Sequence, residues 1–329
     1  MTTDAPSAVN GPLTLVADIG ATNARFGLID DTGIHDTRIL RGADYPSLEA
    51  AAEAYLATVQ SLPRALPRPT RGAFAIAGPV TGDRVHMTNL GWSFSTSQVR
   101  GLLGLDRLVV INDFTAVALS VPRLTPADVR QVGEGAPEPD HVVGIIGPGS
   151  GLGVSGLVPG PQGWTALAAE GGHVTMAPIS DRESAVLGQL RKAFDHVSAE
   201  RVLSGPGLVN LYDALCILDN REPERLTPAQ VTEGAVTGNN PYCVEAVEMF
   251  CAMLGTVAGN LALTLGARGG VYIAGGIVPK LGPLFTHSRF RKRFMEKGRM
   301  RDYLAPIPTY VITHDLPAFL GLAEAAARA

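Results

Sequence analysis

Leu108-Val109-Val110-Ile111-Asn112-Asp113-Phe114-Thr115-Ala116-Val117-Ala118-Leu119 runs from an unbroken apolar stretch through an amide and a carboxylate into a second apolar stretch. The pattern reads as buried strand, sharp turn and helix, the repeating unit of open α/β sheets. Asn112 and Asp113 then fall at the carboxyl end of the strand, where such sheets handle ligands. The helix that follows offers unpaired N–H groups and a positive dipole end, which favour an ionised carboxylate. Asp113 is thus a candidate catalytic base, able to take a proton from a hydroxyl group. The competing role is purely structural, an N-cap for a helix beginning near Thr115.

Upstream, a hydrophobic strand from Leu13 to Asp18 enters the turn Gly20-Ala21-Thr22-Asn23, and Arg25 to Ile29 reads as the returning strand. This is a hairpin, not a strand-to-helix opening. Its small residues let backbone approach phosphate oxygens, with Thr22 and Asn23 as side-chain donors and Asp18 available to Mg2+ through water. Leu48, Ala51, Ala52, Tyr55 and Leu56 recur at helical spacing within Tyr45 to Val59, and a buried strand follows at Gly72 to Ala77. These pieces make a small α/β domain over 1–111, completed by about 314–329, with a large α/β domain over 112–313.

Downstream, Val142 to Ile146 turns through Gly147-Pro148-Gly149-Ser150-Gly151, so the second domain begins as the first did, about 130 residues later. Repetition at that scale implies a duplicated architecture. Gly149, Ser150 and Gly151 supply a second set of backbone N–H groups for phosphate. Helices are expected at Asp181 to Phe194, Gly205 to Leu218 and Pro241 to Leu265, and after Pro279. The strand Gly270 to Ala274 leads into Gly275 and Gly276, a third close backbone approach suited to a nucleoside. The last strand, Tyr310 to Thr313, and the helix Pro317 to Ala327 are expected to return to the first domain.

Two further segments carry candidate ligand groups. Glu170-Gly171-Gly172-His173 sets an acceptor and a donor on a glycine-permitted loop, where both could meet one polyhydroxylated ligand. His173 with a nearby carboxylate also invites a zinc reading, but no cysteine or second histidine lies at ligand spacing. Glu200, in His196-Val197-Ser198-Ala199-Glu200-Arg201, is a further hydroxyl acceptor or an ordinary ion-pairing residue.

At 329 residues with 46% hydrophobic content the chain can bury the cores of two domains. Its net charge of -4 offers no field for nucleic acid or an anionic membrane. Arg289, Arg291, Lys292 and Arg293 alternate with Phe290 and Phe294 and read as the solvated face of an amphipathic helix. Cys216, Cys243 and Cys251 are odd in number and widely spaced, which suits a reducing compartment. Met1 to Asn10 lacks the apolar core of a signal peptide and no long uncharged run suggests a membrane span, so a cytoplasmic location is expected. The apolar helical run Val244 to Leu265 would suit a homodimer face.

Seven ordered segments, LVADIGATNARFG, IAGPVTGDRVHMTN, INDFTAVA, GPGSGLGV, EGGHV, HVSAERVLSGPGLVNLY and GGVYIAGGIVP, resemble the bacterial glucokinase family, ATP-dependent kinases of hexokinase type within the actin-like ATPase superfamily. The likeness runs from about Leu13 to Gly321. It implies two actin-like ATPase (ribonuclease H-like) α/β domains around a central cleft. The implied reaction moves the γ-phosphoryl group of ATP, with Mg2+, to the 6-hydroxyl of D-glucose, a step that feeds glycolysis. The same likeness implies that Asn112, Asp113, Glu170, His173 and Glu200 contact glucose, with Asp113 the base. Ala17, Asp18, Ile19, Gly20, Ala21 and Thr22 correspond to the first phosphate segment, Gly149, Ser150 and Gly151 to the second, and Gly275 with Gly276 to the adenosine side. Two departures stand out: Ala21 replaces a common glycine, and the Cys-rich zinc motif of the repressor and sugar-kinase (ROK) group is missing, so no protein-held metal is expected.

Other classes fit less well. A non-catalytic sugar sensor on this fold would be expected to lose Asp113 or a phosphate hairpin, or to carry a DNA-binding extension, for which there is no room before Leu13. A dinucleotide-dependent dehydrogenase needs a G-x-G-x-x-G opening a helix after the first strand, and none is present. A kinase for another hexose remains open on these residues.

Overall fold

The computed structural model describes residues 13–62, 66–87 and 90–328, so the leader-free reading of Met1 to Asn10 lies outside the described residues. The chain divides into unit 1, Met1–Arg123 with Asp315–Ala329, and unit 2, Leu124–His314.

Unit 1 is built on a five-stranded sheet. Strands β1 (Thr14–Ile19), β2 (Asn23–Asp30) and β3 (Gly33–Arg41) form an antiparallel meander. Helix α1 (Leu48–Gln60), capped by the Ser47 hydroxyl, then leads to β4 (Arg71–Ile76), which lies parallel to β1. The short hairpin β5 (Arg84–Met87) and β6 (Trp92–Ser95) and helix α2 (Thr96–Leu102) precede β7 (Arg107–Asn112) and α3 (Asp113–Ser120). The sheet order is β3-β2-β1-β4-β7. β7 is therefore an edge strand, and Leu108 to Ile111 are half-buried where the apolar run predicted full burial.

Unit 2 repeats this plan. After β8 (Val129–Gln131) come the antiparallel β9 (Val143–Pro148), β10 (Leu152–Gly160) and β11 (Gly163–Leu167). Helices α4 (Asp181–Leu190), α5 (Gly205–Leu218), α6 (Pro228–Thr237) and α7 (Pro241–Leu265) follow. Next are β12 (Val271–Ile273), α8 (Ile277–Leu281), α9 (Pro283–Thr286), α10 (Phe290–Met295), α11 (Arg301–Leu304) and β13 (Thr309–Ile312). The sheet order β11-β10-β9-β12-β13-β8 is that of unit 1 with one antiparallel strand added at the edge. The duplication inferred from two Gly-rich hairpins is thus present in strand order.

Several expectations need correction. The terminal strand does not return to unit 1: β13 pairs in parallel with β12, and only helix α12 (Pro317–Arg328) joins unit 1. The boundary drawn after residue 111 falls instead after Arg123, because α12 clasps α3. A Cβ on Gly321 would lie 1.8 Å from Ala116 O, so glycine there brings the two helices into backbone contact. Most of the apolar run in α7 is taken up by the core: Phe250, Cys251, Met253, Leu254 and Ala258 are fully buried within unit 2. It is long and apolar enough to cross a bilayer, but serves as a core helix.

The basic cluster is likewise not one solvated face. Arg293 is 1% exposed, and its Nη1 donates to Glu183 Oε1 at 2.6 Å while Nη2 donates to Thr256 Oγ1 at 2.8 Å. Arg291 lies over the Phe294 ring at 4.9 Å and donates to the carbonyls of Ile307 and Ala305. Guanidinium groups can be drawn in where carbonyls and a carboxylate satisfy their planar donors.

Candidate active site

Asn112 caps α3, with its Oδ1 accepting from the N–H groups of Phe114 and Thr115 at 2.9 and 3.1 Å. Its Nδ2 donates to Gly78 O at 3.2 Å and to Asp113 Oδ1 at 3.0 Å. The capping role weighed for Asp113 thus belongs to its neighbour. The Phe114 N–H also donates to Asp113 Oδ1, at 2.9 Å. Two donors at one oxygen, on the first turn of a helix, suit a carboxylate and fix its direction.

In the first hairpin, Ala17 and Ile19 are buried in the core, and their backbones pair with β2 and β4. What the hairpin presents is Asp18, Gly20, Ala21 and the exposed Thr22. The Gly20 N–H closes the turn on Asn23 O at 2.9 Å. Asp18 Oδ2 accepts from Arg25 Nη1 at 3.0 Å. Burial pushes the Asp18 carboxyl above its ordinary range, and the Arg25 charge and hydrogen bond pull the other way.

Unit 2 brings the remaining polar candidates together around one residue, Leu152. Its N–H donates to Glu200 Oε2 at 2.8 Å, so the carboxylate lies against the second hairpin. A Cβ on Gly151 would sit 2.5 Å from that same oxygen, and one on Gly172 would sit 2.0 Å from Leu152 O. These glycines let the Glu200 turn (Ala199–Arg201) and the turn Gly171–His173 close on the start of β10. Glu170 and His173 stand at the ends of the second turn, both exposed, with Nε2 and Oε2 3.9 Å apart. His173 and Glu200 line a cavity of about 390 Å3, together with Phe194, His196, Ser198 and Arg201.

The second hairpin is anchored from below. Gly149 N–H donates to Gly151 O, and the N–H of Gly205, the first residue of α5, donates to Gly149 O, each at 2.8 Å. Ser150 is exposed at the tip. Gly275 has φ +85°, and a Cβ there would lie 2.3 Å from Pro148 O, so it seats the β12–α8 turn against the end of β9. Gly276 is exposed and has open space around it. Among the described residues, no three His, Cys, Asp or Glu side chains converge on a metal-sized site.

Sequence patterns alone did not single out Arg25 or Leu152. Arg25 follows Asp18 by a hairpin's register, a signal open to strand counting. The Leu152 amide takes its role from a chain segment that it meets only on folding.

The sequence model of the glucokinase family matches residues 15–329. The chain is 51% identical over 312 residues to a glucokinase of Nitrobacter hamburgensis, covering 95% of this chain and 96% of that protein. It is 53% identical over 313 residues to a glucokinase of Paramagnetospirillum magneticum, with 94% and 96% covered. A crystal structure of glucokinase from an Antarctic psychrotroph superimposes with a TM-score of 0.85 at 37% identity, covering 97% of this chain and 100% of that one. A ROK-family glucokinase of Streptomyces griseus, solved with glucose and AMPPNP, shares the fold at 20% identity, TM-score 0.66, over 96% and 100% of the two chains. The fold is the two-domain actin-like ATPase fold, and the chain belongs to the glucokinase family.

Proposed function

We infer that this protein is a glucokinase, which transfers the γ-phosphoryl group of ATP to the 6-hydroxyl of D-glucose and releases glucose 6-phosphate and ADP. The observation that carries the reading is Asp113, held by Asn112 and the Phe114 N–H at the carboxyl end of β7. Asp113 takes the proton of the 6-hydroxyl as that oxygen forms its bond to the γ-phosphorus; the bond from phosphorus to the bridging oxygen breaks, and ADP leaves. General base assistance of this kind is typically worth about 10²- to 10⁴-fold. Glu170, His173 and Glu200 take the other hydroxyls, so binding energy becomes orientation. Asn112 positions Asp113 and caps α3.

The two hairpins hold phosphate oxygens through backbone N–H groups, at Ala21 and Thr22 and at Ser150 and Gly151, while Gly20 and Gly149 use theirs within the turns, and Gly276 leaves space beside the nucleoside. Asp18 fits Mg2+, which binds through one or two carboxylates and keeps several waters. When bound with ATP, the ion neutralises charge on the β- and γ-phosphates. Burial, the larger effect, raises the Asp18 carboxyl, and Arg25, whose Nη1 donates to Oδ2, favours its charged form against it.

A coupled ADP-release assay across a panel of hexoses tests the reading. Release should depend on Mg2+ and rise with glucose above the rate with ATP alone. Equal rates with and without every hexose would remove the kinase assignment and leave the sugar-sensor reading in its place.

A further inference from the structure

The two segments of unit 2 that carry the proposed sugar contacts are joined edge to edge. Residues 174–176, just after His173, run antiparallel to 197–199, just before Glu200. Ala199 N–H donates to Val174 O at 2.8 Å, Met176 N–H donates to Val197 O at 3.0 Å, and Thr175 faces Ser198 across this bridge. So short a ladder specifies its register weakly, and a slip by one residue would turn every side chain to the opposite face. A side-chain link crosses the same seam, with Thr175 Oγ1 and His196 Nε2 3.0 Å apart. His196 also lines the cavity shared by His173 and Glu200. The proton transfer and phosphate binding described above use neither Thr175 nor His196.

We propose that His196, acting through Thr175, is a positioning residue for the sugar. It holds the turn bearing Glu170 and His173 in register with the turn bearing Glu200, so that the three side chains are pre-arranged instead of being ordered by the substrate. The proposal rests on the glucokinase reading. The loss on removing the link appears in glucose binding and spares the chemical step, because Asp113 and the phosphate hairpins are untouched.

Steady-state kinetics of the full chain, with glucose and ATP varied separately, test this. His196→Ala should raise the glucose KM about three- to tenfold, the range expected for one neutral hydrogen bond, with kcat and the ATP KM within about twofold of the parent. Thr175→Val should give the same rise, the double variant no more than either alone, and His196→Gln, which keeps a donor and acceptor at similar reach, should recover most of the loss. Thr175→Val also carries the test should His196→Ala fold poorly. An unchanged glucose KM, additive effects in the double variant, or a fall in kcat at saturating glucose would overturn the positioning role. Wild-type turnover of glucose in the same assay separates this failure from failure of the glucokinase reading, since its absence would remove both.

Discussion

Asp113 and Gly151 show how much one residue's surroundings decide. Asp113 Oδ1 receives two donors, one of them from Asn112, so replacing it with asparagine keeps the shape and removes the proton acceptor. Asp113→Asn should lower kcat by about 10²- to 10⁴-fold while glucose affinity, measured by equilibrium binding, stays within about tenfold. Near-normal turnover would take the base role away from Asp113. Gly151→Ala acts within the second phosphate hairpin, through Glu200. Its Cβ would sit 2.5 Å from Glu200 Oε2, the free end of a side chain, which can swing aside. The fold should survive, but the bond from Leu152 N–H to Glu200 is lost, and the glucose KM should rise roughly tenfold or more, the worth of one charge-assisted hydrogen bond. An unchanged KM would place Glu200 outside sugar binding. Gly172→Ala meets Leu152 O, a backbone atom that cannot swing, and should lower Tm as well.

Among the elements, the contact of α4, α7 and α10 rests on a buried ion pair. Glu183 and Arg293 are 3% and 1% exposed. Glu183 Oε2 also accepts from Ile179 N–H at 2.7 Å, which ties the segment after the sugar-binding turn to the same pair. The Arg293 guanidinium and the Ile179 N–H hold the Glu183 carboxyl below its usual range, outweighing the opposing and larger single effect of burial. Arg293→Met leaves Glu183 buried without its partner, and should cost about 3 to 5 kcal/mol and lower Tm by roughly 6 to 20 °C in calorimetry. Adding Glu183→Leu should restore part of that loss, since the stranded charge is then gone. A single-variant loss under about 1 kcal/mol would mean that water reaches the pair.

At the scale of the whole molecule, buried carboxylates set the response to acid. The Asp30 side chain has no exposure, and Oδ1 accepts from Thr32 and lies 2.8 Å from His35 Nε2. Burial alone would raise its pKa, yet these hydrogen bonds together hold the carboxyl well below the usual range. A carboxyl whose folded pKa is depressed binds fewer protons in the native state than in the unfolded one, so stability grows with pH across the interval between the two values. Asp30 and Glu183 should therefore contribute fully above about pH 4.5 and lose their contribution as pH falls below it. Thermal melts from pH 7 to pH 3 should show Tm falling in the acid range, with a shallower fall in Asp30→Asn. An equal slope in that variant would assign the acid response to other groups.

Short-range chemistry was legible in the sequence. The strand-turn-helix at Leu108 to Leu119, both Gly-rich hairpins and the bounds of α5 and α7 follow from apolar periodicity and from glycine and proline placed where only they fit. What the sequence left open depended on partners distant along the chain. Leu108 to Ile111 read as a buried strand because full burial and edge position give the same apolar run; β4 on one side alone made it an edge. Arg293 read as solvated because its carboxylate partner lies 110 residues away. α3 went to unit 1 because Gly321, near the far end of the chain, lets α12 reach Ala116. Composition and local pattern thus determined which residues can do chemistry, and tertiary contact decided which are held still to do it, because register, edge position and ion-pair partners are properties of segments that meet only in the folded chain.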